Sequence, residues 1–506
     1  MVERRIILEA IGEKLKIESV DSCKLSHKQT PLLSSLKDYS KKDIACFDVP
    51  GHIKNQGVSI LNEYYGEEIM KMDINSSPLM DNVSNPSTII KSSQKLLADA
   101  YKADDAFFIT NGTTGAIHAM ILSVIKPNDK LLLPRNIHKS VINALILSSG
   151  EPVFIQPEFD NELGISLNIK LEDIKNALKS QKDIKAVFLL NPTYYGACSD
   201  LEAIIKFCHE ENVLVLLDEA HGAHFPFHKD LPPSGMELGA DMVATSIHKT
   251  GGALTQASAL LLNNDKIESS KVLQSINMLQ STSASYLLMS SIDGARSNLV
   301  LNGEIQLSKA LNLSRYAKAR INKIKGINVV TTENLKNEGV KFTDETKLCI
   351  NVRGLNLSGH EVYDLLYQKF SVQVELGDLY NILALISIGT TKEDVDKLID
   401  ALEMISKLYK KNECMKVINT KQINPISKLN PRDAFYKDKE LILIDECVGR
   451  ISGESIMAYP PGIPVITPGE VITKEIIDYI KLLKDNNAYL SDMKDKSLKN
   501  ILVIKN

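Results

Sequence analysis

The chain has 506 residues, 44% hydrophobic and 24% charged, and 59 Lys and Arg against 63 Asp and Glu leave a net charge of −4. These values are those of a soluble globular protein of about two to four domains, and they give no reason to expect nucleic acid or an anionic membrane as partner. Seven scattered cysteines with no CxxC pair point to reduced thiols in a cytoplasmic protein and away from a structural zinc site, and no apolar run reaches signal-peptide or membrane-span length.

Residues 1 to about 28 are polar and mixed and read as an arm. From Thr30 to Pro86 the chain is broken by Pro, Gly and Asn, and Phe47-Asp48-Val49-Pro50-Gly51-His52 reads as an extended segment entering a tight turn. Past Ile89, strand and helix signals alternate. Ser92 to Tyr101 reads as a helix and Ala106 to Thr110 as a strand. Asn111-Gly112-Thr113-Thr114-Gly115 then opens a further helix. More strands are expected at Lys130 to Pro134, followed by Arg135-Asn136-Ile137-His138, then at Pro152 to Ile155 and at Ala186 to Leu190.

Two further strands carry the chemistry. Val213-Leu214-Val215-Leu216-Leu217 ends in Asp218-Glu219-Ala220-His221-Gly222-Ala223-His224, and Ala244-Thr245 leads into Ser246-Ile247-His248-Lys249-Thr250-Gly251-Gly252. Strands separated by helical lengths imply an α/β fold with a largely parallel, doubly wound sheet, which places ligands at the carboxyl ends of its strands. From about Gly303 the pattern becomes a long helix, with strands at Ile327 to Val330, Lys347 to Val352 and Val372 to Glu375 and a helix from Thr391 to Leu408. A Lys-rich linker near Lys410 to Lys421 leads to a last segment. The segments expected are 1–88 as an N-terminal arm and dimerisation segment, 89–300 as the large domain, 301–412 as a small α+β domain and 413–506 as a C-terminal α+β domain.

A strand-end carboxylate beside a lysine flanked by hydroxyl, imidazole and glycines suits pyridoxal 5′-phosphate: the lysine binds the aldehyde and the acid keeps the pyridine nitrogen protonated. Taken singly, Asp218 reads more readily as an ordinary strand-end Asp and Lys249 as a surface residue. Gly112-Thr113-Thr114-Gly115 after a strand offers amides and hydroxyls for a phosphate, or is simply a glycine-rich turn with a Thr cap. Ala220 is small enough to underlie a ring, Ser246 and His248 add donors, and His138 stands where it would stack over the ring or serve only structure. His118 and His209 read as helical, and His228 and His360 as surface. No His/Cys/Asp cluster has metal-ligand spacing.

Together with Pro50-Gly51-His52, Asn136-Ile137-His138-Lys139-Ser140, Asn191-Pro192-Thr193-Tyr194-Tyr195-Gly196, Pro431-Arg432-Asp433-Ala434-Phe435-Tyr436 and Tyr459-Pro460-Pro461-Gly462-Ile463-Pro464, these motifs resemble the Orn/Lys/Arg decarboxylases. The likeness is to the short form of that family on the aspartate-aminotransferase fold, most similar to the biosynthetic arginine decarboxylases of Gram-positive bacteria. It implies that Lys249 carries pyridoxal phosphate, that Asp218 pairs with the ring nitrogen and that His138 stacks on the ring. It also implies that Thr113, Thr114, Ser246 and His248 surround the phosphate. The run Ser281-Thr282-Ser283 would reach the phosphate of a neighbouring subunit, making a homodimer or higher homo-oligomer with shared sites. Glu470 would face the distal cationic end of a basic amino acid, or else begin a helix.

The implied reaction is decarboxylation of arginine to agmatine, with His248 or Lys249 returning a proton to Cα. Lysine or ornithine as substrate, transamination or aldol cleavage on the same fold, and a non-catalytic pyridoxal-phosphate-binding homologue are the alternatives. The sequence departs from the family pattern at Asp48, Ile53, Ser84 and Gly377.

Overall fold

The computed structural model describes residues 25–505 except 78, 332, 336–338, 410–413, 416–423, 460–462 and 486–487. Residues 1–24 of the expected N-terminal arm, most of the Lys-rich linker and Pro460 to Gly462 therefore lie outside the described residues.

The apolar run before Asp218 explains the large sheet. Val213, Val215 and Leu217 join the core on one face, and Leu214 and Leu216 join the core on the other. A strand covered on both faces has no polar position to spare, which is why the run does not alternate. Seven strands share this sheet: β1 (Asp105–Ile109), β2 (Lys130–Pro134), β3 (Glu151–Ile155), β4 (Ile184–Leu190), β5 (Leu214–Asp218), β6 (Met242–Thr245) and β7 (Ser258–Leu262), in the order β1-β7-β6-β5-β4-β2-β3. The pairs β6–β5, β5–β4, β4–β2 and β2–β3 are parallel, and only β7 runs antiparallel to its neighbours β1 and β6. The α/β class and the mostly parallel sheet are as expected from sequence; β7 is an addition to that reading.

Helices α1 (Pro31–Ser40), α2 (Ile89–Ala100), α3 (Gly112–Val124) and α4 (Lys139–Ser148) cover this sheet. Helix α2 begins three residues earlier than its apolar pattern suggests, because the Asp81 carboxylate accepts hydrogen bonds from the Thr88 and Ile90 amides at 2.9 and 3.0 Å and anchors its first turn. Helix α5 (Tyr286–Ile321) runs unbroken for 36 residues, so the expected boundary at 300/301 falls inside it.

The C-terminal part of α5, with α6 (Gly359–Phe370) and α7 (Lys392–Tyr409), packs a second core against an antiparallel sheet. That sheet holds β8 (Asn328–Val329), β9 (Lys347–Asn351), β10 (Leu376–Gly377) and β11 (Asn381–Leu385) in the order β8-β9-β11-β10. The strand expected at Val372 to Glu375 is not formed. Pairing with β11 falls instead on Leu376 and Gly377, which oppose Leu383 and Ile382.

A third core gathers Ile456, Ile466, Ile476, Ile480 and Val503 around α8 (Lys474–Asp485). His228, expected at the surface, is buried, with its Nε2 2.8 Å from Ser308 Oγ on α5. Among the described residues no helix is long and apolar enough to cross a membrane.

Candidate active site

Asp218 closes β5 directly opposite Ala244 of β6. The parallel register therefore makes Asp218 and Ser246 to Lys249 leave the sheet side by side at its carboxyl edge. Asp218 is buried, and its Oδ1 accepts from the Ala220 amide at 3.0 Å. Burial raises its carboxyl above the ordinary Asp range, against the opposing pull of the Ala220 amide and of Lys249. Ala220 is buried beside it.

Lys249 sits on a single wide helical turn over Ile247–Gly251, which ends at Gly252 with φ 89°, a conformation that glycine adopts freely. Burial lowers the Lys249 ammonium below the ordinary lysine range; Asp218 opposes the drop and Lys347 adds to it. An amine so placed is readily neutral and nucleophilic.

Three hydroxyls meet where α3 starts. Thr113 Oγ1 lies 2.5 Å from Ser246 Oγ and 3.0 Å from Ser258 Oγ. The first amides of α3 have no intrahelical partners, so hydroxyls and helix terminus together form a nest that suits a phosphate. Thr113 faces inward and Thr114 is exposed.

His138 caps α4: its Nδ1 accepts from the Ser140 amide at 3.2 Å, which leaves the proton of the neutral ring on Nε2. Burial, with Lys249 and Lys139 nearby, brings its pKa down to about 4. His248 is fixed in the opposite tautomer, its Nδ1–H donating to the Ala257 carbonyl at 3.0 Å. Burial lowers its pKa too.

Two expected residues lie elsewhere. Thr282 is exposed in the segment before α5. Glu470 is buried, and both of its oxygens are engaged: Arg135 Nη1 and Nη2 donate to Oε1 and Oε2 at 2.5 and 2.8 Å, and the Thr467 amide donates to Oε2 at 2.8 Å. The expected role as a substrate-facing acid therefore competes with an intrachain ion pair: Arg135 and the Thr467 amide take three of the roughly four acceptor positions of this carboxylate. Glu470 does not begin a helix either; α8 starts at Lys474.

Several groups were not anticipated. His221 Nε2 lies 2.9 Å from Lys249 Nζ, and its Nδ1 lies 3.3 Å from Lys347 Nζ. The Tyr194 ring packs 4.5 Å from His221, with Lys249 Nζ 5.5 Å from its centroid. Ser258 completes the hydroxyl nest from β7. His221 and Tyr194 lie inside motifs quoted from the sequence, whereas nothing local marked Lys347 or Ser258. Among the described residues no group of three or more His, Cys, Asp or Glu is arranged to hold a metal ion.

A model of the Orn/Lys/Arg decarboxylase major domain matches residues 30–394, and a model of the Orn/Lys/Arg decarboxylase C-terminal domain matches residues 412–490. The arginine decarboxylase of Bacillus subtilis (strain 168) is 41% identical over 488 residues, which cover 95% of this chain and 99% of that protein. Among solved structures, the Francisella novicida lysine decarboxylase LdcF superposes with a TM-score of 0.81 at 22% identity, over 94% of this chain and 81% of that one. The ureidoglycine-glyoxylate aminotransferase of Bacillus subtilis gives a TM-score of 0.50 at 16% identity, over 63% of this chain and 84% of its own. Both structural likenesses are of fold.

Proposed function

The chain belongs to the Orn/Lys/Arg decarboxylase family, and from that premise we propose that it decarboxylates L-arginine to agmatine and CO₂ with pyridoxal 5′-phosphate as cofactor. The substrate reading is carried by the 41% identity over nearly the whole length of the Bacillus subtilis arginine decarboxylase. The donor set fits the cofactor: a hydroxyl-and-amide nest for a phosphate, a buried carboxylate for a ring N–H, and an amine of lowered pKa for an aldehyde.

Pyridoxal 5′-phosphate supplies at this place an electron sink for the pair left on Cα when CO₂ departs. Lys249 would hold the aldehyde carbon. Asp218 would hold the ring nitrogen protonated, gaining there the cationic partner that its burial calls for. Thr113, Ser246, Ser258 and the start of α3 would take the phosphate, with Thr114 at the outer rim. Ala220 and His138 would flank the ring. Neutral His248 has its one proton tied to the Ala257 carbonyl, so the return of a proton to Cα is assigned to Lys249, whose neutral amine would first take up the proton that the substrate ammonium brings. The exposed Ser281 to Ser283 run is assigned to the site of a second copy, making a homodimer the minimal active unit.

The test is a product assay on the purified chain with pyridoxal phosphate and, separately, arginine, lysine and ornithine. Release of CO₂ and agmatine, with arginine favoured at least about tenfold in kcat/KM over the other two, is expected. Formation of keto acid in place of CO₂, or no amine from any of the three, overturns the proposal.

A further inference from the structure

Lys347 is a second buried lysine in this site, and the chemistry above does not use it. It opens β9, and its side chain is 1% exposed; that of Asp344, 4.0 Å away, is 0% exposed. Lys347 Nζ stands 3.3 Å from His221 Nδ1, and Lys249 Nζ stands 2.9 Å from His221 Nε2, so the imidazole lies between two amines.

A neutral imidazole has one N–H and one lone pair. It therefore cannot accept from both lysines or donate to both. The imidazolium is disfavoured, because burial and then Lys249 and Lys347 hold the His221 pKa well below the ordinary range. One amine must be the donor to the ring and the other the acceptor.

The surroundings decide which. Burial lowers the pKa of both lysines, but among the described residues only Lys347 of the two has a carboxylate within 4.0 Å, and Asp344 is first among the groups that oppose its drop. Asp344 is an anion: burial pushes its carboxyl up, but His224, Lys347 and Thr346 hold it below the usual carboxylate range. Thr346 donates to Asp344 Oδ1 from its amide at 2.9 Å and its hydroxyl at 2.6 Å, while Oδ2 has no hydrogen-bond partner. His224 Nε2 also faces Oδ2, at 3.4 Å, and Lys347 is the other basic group beside this buried anion, so a neutral Lys347 would weaken its charge compensation.

We propose that Lys347, held as an ammonium by Asp344, is a positioning residue that donates to His221 Nδ1, fixes the imidazole proton on Nε2 and so keeps Lys249 Nζ a neutral acceptor. The other titratable groups in range of these three side chains are Asp218 and Glu375 for Lys249, Glu375 and Cys198 for Lys347, and His224 and His138 for His221. Asp218 is the main opposing influence on Lys249, and the bond from His221 Nε2–H offsets it. The importance of a neutral Lys249 rests on the function proposed above, but its protonation state is a property of the chain alone. The measurement is therefore made without cofactor, and a failure of the decarboxylase reading would leave it interpretable.

The experiment follows reductive methylation of Lys249 by formaldehyde and cyanoborohydride in the cofactor-free full-length chain, read by peptide mass spectrometry across pH. Lys347→Met removes the ammonium and frees His221 to accept from a protonated Lys249. The pH midpoint for Lys249 labelling should rise by about one unit, a roughly tenfold loss of labelling below it. Lys347→Arg keeps charge and donor and should hold the midpoint near that of the parent. In a His221→Phe background the Lys347→Met shift should fall to less than about half, because the imidazole carries the effect. Asp344→Asn, which lets Lys347 lose its proton, should raise the midpoint in the same direction and serves if Lys347→Met does not fold. An unchanged midpoint in the folded Lys347→Met or Asp344→Asn protein overturns the proposal. So does an undiminished shift in the His221→Phe background.

Discussion

Arg135 and Glu470 face each other through hydrogen bonds of 2.5 and 2.8 Å, joining the end of β2 to the C-terminal segment across 335 residues of sequence. Arg135 also donates to the Val465 carbonyl at 3.2 Å, so the guanidinium ties two points of that segment to the large sheet. Both side chains are buried. Removing one partner of such a pair leaves the other as an uncompensated buried charge, which costs about 3–5 kcal/mol. Arg135→Met should lower stability by that amount in urea unfolding. Glu470→Gln should also destabilise, while leaving KM for arginine within about threefold of the parent. A KM raised more than tenfold at unchanged stability would return Glu470 to the substrate.

Lys249→Ala should abolish amine production and remove the visible band of lysine-bound cofactor. The fold should survive, because no carboxylate among the described residues depends on this amine within ion-pair distance. Retention of the band and of agmatine formation would refute the role given to Lys249.

Asp218→Asn keeps an oxygen for the Ala220 amide, now 3.0 Å from Asp218 Oδ1, but loses the charge. Ring protonation should weaken, and kcat should fall by about 10²-fold or more, a size typical of losing a positioned acid–base partner. Cofactor content after dialysis separates this from loss of binding; a holo-protein with unchanged kcat would count against the pairing.

Burial keeps His138 neutral down to about pH 4, whereas an unfolded chain protonates its histidines near pH 6.5. The folded pKa is thus depressed. The stability this histidine contributes is fully present above about pH 6.5 and is lost as pH falls towards 4, up to about 3 kcal/mol. His138→Asn, which retains a cap acceptor for α4, should flatten the loss between pH 6.5 and 4.5. His221 and His248 carry the same sign and should leave a residual slope. Denaturant midpoints at several pH values check this, and an unaltered slope would contradict it.

Gly377 stands against Gly359, where a Cβ at 377 would meet the Gly359 carbonyl oxygen at 2.5 Å and its carbon at 2.8 Å. This backbone crossing between β10 and the first turn of α6 gives the departure from the family pattern at Gly377 a packing reason. Gly377→Ser should cost about 1–3 kcal/mol as overpacking, measured by denaturant unfolding; a neutral effect would show that α6 can move aside.

What the sequence made legible was whatever lies along a single strand and its exit. The apolar run before Asp218, the hydroxyl and lysine after β6 and the glycine-threonine turn opening α3 all follow from local pattern. Contacts made by folding were hidden. Lys347 lies 126 residues from His221, and Arg135 lies 335 from Glu470, so no spacing rule links them. The ion pair of Glu470 was hidden for this reason: an acid after Pro-Gly looks unpartnered until its guanidinium partner is seen. His228 looked like a surface residue because its partner Ser308 comes from a helix 80 residues on. At Val372 to Glu375 alternation suggested a strand, but ladder position depends on β11, which a local pattern does not contain.

Helix α5 extends about 54 Å at 1.5 Å per residue over its 36 residues. Near one end Asp293 accepts from the Leu32 and Leu33 amides, and Arg296 donates to the carbonyls of His27 and Gln29. Towards the other, Ser314 and Lys318 donate to the Glu345 carbonyl and Arg315 grips its carboxylate, in the turn that holds Asp344 and leads into Lys347. The helix is thus a tie rod between the amino-terminal segment and the lysine that sets the His221 proton. Both regions therefore take their position from one continuous element rather than from a chain of loops.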